Sequence, residues 1–172
     1  HGRSGMTACT RCLDTCPTGA ITSLGETVEV NANLCQGAGS CATACPTGAM
    51  GYNYPRLSDT LQQLRRLLQT YREAGGEDAV LLFHDAAAGR EAVQRLATGM
   101  PGRVIPVEVE EVGSVGMDVW LAALAYGAAA VRLLATPCVP AGVLREVNQQ
   151  LDVAGQILAG MGYPASVLQL CR

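Results

Sequence analysis

The chain has 172 residues, 49% of them hydrophobic, enough for one ordinary domain or a small one joined to a medium one. Its formal net charge of −3 disfavours nucleic acid and anionic lipid as partners. All twelve Lys/Arg positions are Arg, which excludes a Schiff-base or phosphate-loop lysine.

Residues 1–6 (HGRSGM) show no periodicity and read as a tag remnant or the tail of an upstream linker. The cysteines begin directly after them. Cys9, Cys12 and Cys16 stand in C-x2-C-x3-C-P, and Cys35, Cys41 and Cys45 in C-x5-C-x3-C-P. The bacterial ferredoxin run is C-x2-C-x2-C-x3-C-P, and in two-cluster proteins its fourth Cys ligates the other cluster. Overlaying that run places one motif at 6, 9, 12 and 16 and the other at 35, 38, 41 and 45, offset by 29 residues. CPTGAI in the first motif is echoed by CPTGAM in the second. Six of the eight positions are Cys; Met6 and Ala38 are the exceptions.

The residue types suit that chemistry. Thiolates are soft ligands for iron–sulfur clusters, and short Cys-x2-Cys steps let nearby backbone N–H groups face the sulfurs and offset negative charge. The Pro after Cys16 and Cys45 stops the local turn from continuing as a helix. Gly37, Ala38, Gly39 and Ser40 leave room for backbone to approach an inorganic core. Eight cysteines would suggest a disulfide framework in a secreted protein, but six sit at metal-ligand spacing and no export pattern is visible. A reducing, cytoplasmic compartment is therefore expected, and no apolar run nears the roughly 20 residues of a membrane helix.

Ala20–Val30 alternates weakly around Gly25-Glu26, as in a small hairpin, and the segment 51–55 closes this unit at Pro55. From Leu57 the texture changes. Ser58 or Asp59 is placed to cap a helix with an apolar stripe at Leu61, Leu64, Leu67, Leu68 and Tyr71, ending at Gly75-Gly76. Ala79–Phe83 reads as a buried parallel strand, and Asp85 as the cap of a helix through Leu96. Val104–Val109 is the second strand, Met117–Tyr126 an apolar helix, and Ala130–Ala135 the third strand. A long helix from Pro140 to about Met161 precedes a fourth strand, Val167–Leu170. This alternation predicts a parallel sheet with helices on both faces. The fold class expected is α/β with an α+β appendage: a two-cluster ferredoxin-like domain over residues 1–56, then a small α/β domain of about four strands over 57–172, a potential docking platform.

Other polar residues have plain structural readings. His84-Asp85 and Thr136-Pro137-Cys138 end the first and third strands, where open α/β sheets place ligands, yet a capping Asp beside a buried His explains the former. Cys138 and Cys171 read as packed small residues, Glu108, Glu110 and Glu111 as a solvated strand end, and Trp120 and Tyr126 as core. Neither G-x-G-x-x-G after a strand nor G-x-x-x-x-G-K-S/T is present, so a nucleotide site has no support.

TACTRCLDTCPTGAI, LCQGAGSCATACPTGAM, the YREAGG–LLFHD junction and AYGAAAVRLL together resemble the C-terminal part of bacterial ferredoxin-type 4Fe–4S proteins found alongside molybdenum-dependent formate dehydrogenases. More distantly, the second domain is similar to the delta-type iron–sulfur subunit of hydrogenase and heterodisulfide reductase systems, without that subunit's extra cysteines. The resemblance implies electron transfer between a redox enzyme and a carrier protein. It also implies that Cys9, Cys12 and Cys45 hold one cluster and Cys16, Cys35 and Cys41 the other. One or two clusters are expected, 4Fe–4S, or 3Fe–4S where Ala38 replaces a ligand. Two other readings stay open: a structural zinc domain, and a cluster with one open iron acting as a Lewis acid on a small substrate. An electron-transfer component without a reaction of its own is favoured over an enzyme.

Overall fold

The computed structural model describes residues 9–172; Met6 lies outside them. The N-terminal part is ferredoxin-like. Two five-residue helices, α1 (Arg11–Thr15) and α2 (Ser40–Ala44), pack against each other and flank an antiparallel hairpin. The hairpin strands are β1 (Ile21–Ser23) and β2 (Val28–Val30), with Ile21 opposite Val30 and Thr22 opposite Glu29.

The rest is α/β. Helix α3 (Leu57–Glu73) precedes β3 (Val80–Asp85), α4 (Ala88–Leu96), β4 (Val104–Val109), α5 (Met117–Ala125), β5 (Ala130–Leu134), α6 (Ala141–Gly160) and β6 (Leu168–Cys171). All pairings are parallel, in the order β4-β3-β5-β6. The chain steps outward from β3 to β4, then back across β3 to β5, so the crevice between β3 and β5 is the topological switch point.

Alternation along each strand separates the two faces. Leu81 and Phe83 of β3, Val131 and Leu133 of β5, and Leu168 of β6 turn to one face. There they meet Leu64 and Leu68 of α3, Trp120 and Ala123 of α5, and Val143, Val147, Ala154 and Leu158 of α6. Phe83, Leu81, Val131, Leu133 and Trp120 are fully buried. The other face carries α4, packed on β3, so the helices lie on both faces but unevenly. Burying one fully covered Leu or Phe contributes about 1.5–3 kcal/mol, and this single layer is the main source of stability.

Element ends shift slightly from the periodicity. Strand β3 runs two residues past Phe83 because His84 and Asp85 continue the pairing with Glu108 and Val109. Helix α3 starts at Leu57 with Arg56 as its N-cap, so Ser58 and Asp59 lie inside the first turn instead of capping it. Asp59 is still well placed, since a helix N-terminus favours a carboxylate. Asp85 does cap in effect: its Oδ1 accepts the N–H groups of Ala87 at 2.9 Å and Gly89 at 3.0 Å. Among the described residues, no helix is long and apolar enough to cross a membrane.

Candidate iron–sulfur site

The two CPTG segments fold alike. Cys16 and Cys45 each follow a short helix in extended conformation, with φ/ψ of −69°/113° and −81°/109°. The carbonyl of Cys16 accepts the N–H of Gly19 at 3.3 Å, and that of Cys45 accepts the N–H of Gly48 at 3.4 Å. Pro at the second position presets φ for such a turn. The turns aim donors at sulfur. Cys16 Sγ accepts the N–H of Ala20 at 3.3 Å and lies 3.6 Å from the Thr18 hydroxyl. Cys45 Sγ accepts the N–H of Met50 at 3.4 Å and lies 3.5 Å from the Thr47 hydroxyl.

These donors favour thiolate. Burial pushes the Cys45 thiol up, but the Thr47 hydroxyl and the N–H of Met50 outweigh it and bring the thiol down to about 7. Burial also pushes the Cys16 thiol up, but the Thr18 hydroxyl and the N–H of Ala20 outweigh it and lower its pKa. Cys12 and Cys41 go the other way. Burial raises the Cys12 thiol, with the charges of Cys45 and Cys9 adding to it. Burial raises the Cys41 thiol too, with contributions from Cys16 and Cys35. The packing of α1 on α2 brings the two cysteine motifs together, so that Cys12 feels Cys45 and Cys9, and Cys41 feels Cys16 and Cys35. Thiolates backed by amide and hydroxyl donors fit an iron–sulfur core.

Ala38 lies between Gly37 and Gly39, both in the left-handed region at φ 70° and 72°. The Tyr52 hydroxyl donates to the Gly37 carbonyl at 2.6 Å, and burial, then the charges of Glu110, Cys35 and Cys41, raise its pKa. Tyr52 therefore clamps the loop that carries the Ala.

The site is bolted to the sheet at its carboxyl end. The 3-10 turn Val112–Ser114 after β4 lies across the end of β3 and reaches α6. Helix α2 seats on that turn: the Thr43 hydroxyl donates to the Gly113 carbonyl at 2.8 Å, and Gln150 Nε2 donates to the Thr43 carbonyl at 3.2 Å. Helix α1 is held by Arg11, whose guanidinium bonds both carboxylate oxygens of Glu146 on α6. The Glu146 carboxylate, with the charges of Cys9 and Cys45 behind it, raises the Arg11 pKa against the opposing effect of burial. Arg11, between Cys9 and Cys12 in sequence, is thus a clasp between α1 and α6.

Glu146 and Gln150 were missed in the sequence, although a signal exists. They fall on the stripe Val143, Val147, Ala154 and Leu158 that α6 buries, where a polar side chain needs a partner. Thr18 and Thr47 were also legible, as the repeated third residue of CPTG. At the switch point, His84 Nδ1 bonds the Asp85 carbonyl at 3.0 Å and both side chains are buried, while Cys138 is exposed. Glu108 is exposed and paired with Arg90, but Glu111 is half-buried, and burial raises its pKa.

Residues 7–49 match the 4Fe-4S dicluster domain family. No curated protein matches the chain. The match spans both CPTG segments and all six clustered cysteines, so the N-terminal part of this chain is a ferredoxin-type iron–sulfur domain and its cofactor is iron–sulfur.

Proposed function

We propose that the chain is an electron-transfer component that passes electrons between a redox enzyme of the formate-dehydrogenase kind and a carrier protein. In this reading residues 1–56 hold the redox centres and residues 57–172 are the platform on which they are mounted. Cys9, Cys12 and Cys45 hold one cluster, and Cys16, Cys35 and Cys41 the other. What supports the ligand assignment is the cysteine spacing together with the packing of α1, from the first motif, on α2, from the second. Crossed sets of this kind are what the two-cluster ferredoxin run demands.

Bound iron–sulfur supplies a one-electron redox centre. The chain's own groups do the rest. Ala20 and Met50 amides and the Thr18 and Thr47 hydroxyls offset negative charge at Cys16 and Cys45, which favours the reduced form and raises the potential. The Pro-terminated C-x3-C spacing and the 29-residue repeat favour clusters over a structural zinc site, whose ligands usually come as two Cys-x2-4-Cys pairs.

Anaerobically purified protein should contain iron and acid-labile sulfide in near-equal amounts. It should also bleach with dithionite and recover on reoxidation over repeated cycles. Zinc in place of iron would overturn the reading, as would a substrate-dependent turnover that needs no electron acceptor.

A further inference from the structure

We propose that the hairpin groove beside Cys16 is the surface through which electrons leave, and that its partner is a separate redox protein presenting a basic rim around an apolar contact. The inference rests on the electron-transfer reading above. The groove, of about 330 Å³, runs along β1 and β2 and is lined by Ala20, Thr22, Glu29, Val30 and Leu34 among others. Its floor is one residue from the redox site: the N–H of Ala20 donates to Cys16 Sγ at 3.3 Å, and Leu34 directly precedes Cys35.

Two apolar side chains that line it stand exposed, Val30 at 41% and Leu34 at 49%, and Leu24, next to β1 in the hairpin, is exposed at 61%. Neighbouring large apolar side chains left open on so small a lobe mark a contact surface. Charge selects what covers them. Between residues 12 and 55 the chain carries Asp14, Glu26 and Glu29 and no Lys, Arg or His. Glu26 and Glu29 are on the hairpin and exposed. The cationic Arg11 on α1 is held by Glu146. A partner approaching Cys16 therefore meets an acidic, apolar face, and a complementary one must be basic and apolar. The transfer is a single electron: the reduced protein is oxidised by one electron, the acceptor is reduced by one, and no proton or group moves.

Ferric cytochrome c, a basic haem protein, serves as the probe. Its reduction by the dithionite-reduced protein, freed of excess dithionite, is followed by anaerobic stopped flow at low and high salt. Steering by opposite charge predicts a second-order rate that falls about tenfold or more as salt rises. The double variant Glu26→Arg, Glu29→Arg should lose about tenfold at low salt and most of the salt dependence. Leu34→Gln should slow transfer at both salt levels by removing apolar contact. All three side chains are exposed, and unchanged iron content and absorption spectra of the variants confirm an intact site.

Parental rates in both variants overturn the docking surface while leaving electron transfer standing. Groove-dependent self-association, seen as a parental dimer that the double variant abolishes, also overturns it by assigning the groove to a second copy. A parent that cannot be reduced and reoxidised at all overturns the electron-transfer reading itself.

Discussion

Arg11 and Glu146 are 135 positions apart, yet the guanidinium of the first grips both carboxylate oxygens of the second, with Nε to Oε2 at 3.3 Å. Gln150 completes the knot, donating to Glu146 Oε1 at 2.8 Å and accepting the N–H of Met117 at 3.1 Å. The pair joins the helix between two cysteines to the longest helix of the sheet domain.

Removing either partner should loosen the seat. Arg11→Gln leaves a buried carboxylate short of its cation, and a lost charged hydrogen bond costs about 2 kcal/mol. Urea unfolding followed by fluorescence of Trp120, the single tryptophan, reads this directly. The Arg11→Gln, Glu146→Gln double variant should cost less than the sum of the singles. Strict additivity would mean the two groups do not interact in solution.

Gly39 should resist substitution. It sits at φ 72°, and a Cβ added there would lie 2.8 Å from Ser114 Cβ. Both the left-handed backbone and the close approach oppose Ala, for a combined cost of about 2 kcal/mol or more. Because Gly39 precedes α2 on the turn it seats against, Gly39→Ala should make the 1–56 segment the first cut by protease. An unchanged cleavage order would argue that α2 does not depend on this contact.

Cys45 should be the early-ionising thiol of the metal-free protein. Its thiol is brought down to about 7 whereas burial raises that of Cys41. A lowered thiol pKa means the thiolate is preferred in the fold, and that preference disappears as pH falls below about 7. Alkylation of Cys45 should climb between about pH 6 and 8 and then level, while Cys41 is still climbing above pH 9. Thr47→Val should move the Cys45 inflection upward. Site-resolved mass spectrometry after timed alkylation measures all three curves, and matching inflections for the two cysteines would remove the role given to Thr47.

Ala38→Cys should raise the iron content. Ala38 stands where the ferredoxin run carries a thiolate, and a methyl group cannot coordinate iron. The parent should hold fewer than the eight irons of two complete cubanes, and lose iron on oxidation more readily than the variant. Iron per chain before and after ferricyanide treatment tests this. Equal, oxidation-resistant content in both would show that position 38 is not a ligand position.

Most of the architecture was legible because it is written in periodicity. Val104–Val109 is bounded by Pro101-Gly102 on one side, and its strand ends coincide with its apolar run. The cysteine spacings and the CPTG echo are equally local, so the ligand candidates could be read without a structure. What stayed hidden is long-range. That Arg11 would spend its charge on Glu146 depends on how α1 sits over α6, and no spacing in the chain encodes that angle. The hairpin groove was invisible for the same reason: alternation from Ala20 to Val30 is weak, and the exposure of Leu24, Val30 and Leu34 is settled only by what fails to pack on them.

The turn Val112–Ser114 has a consequence for what the sheet can be used for. Open α/β sheets receive small molecules in the crevice at the carboxyl ends of their strands. Here Val112 is fully buried in that region, Gly113 lies against Val143 and Ser40, and α2 is mounted on top. The fold's customary mouth is stoppered by the chain itself. A sheet covered in this way carries the cysteine helix α2 where other sheets of its kind hold a ligand.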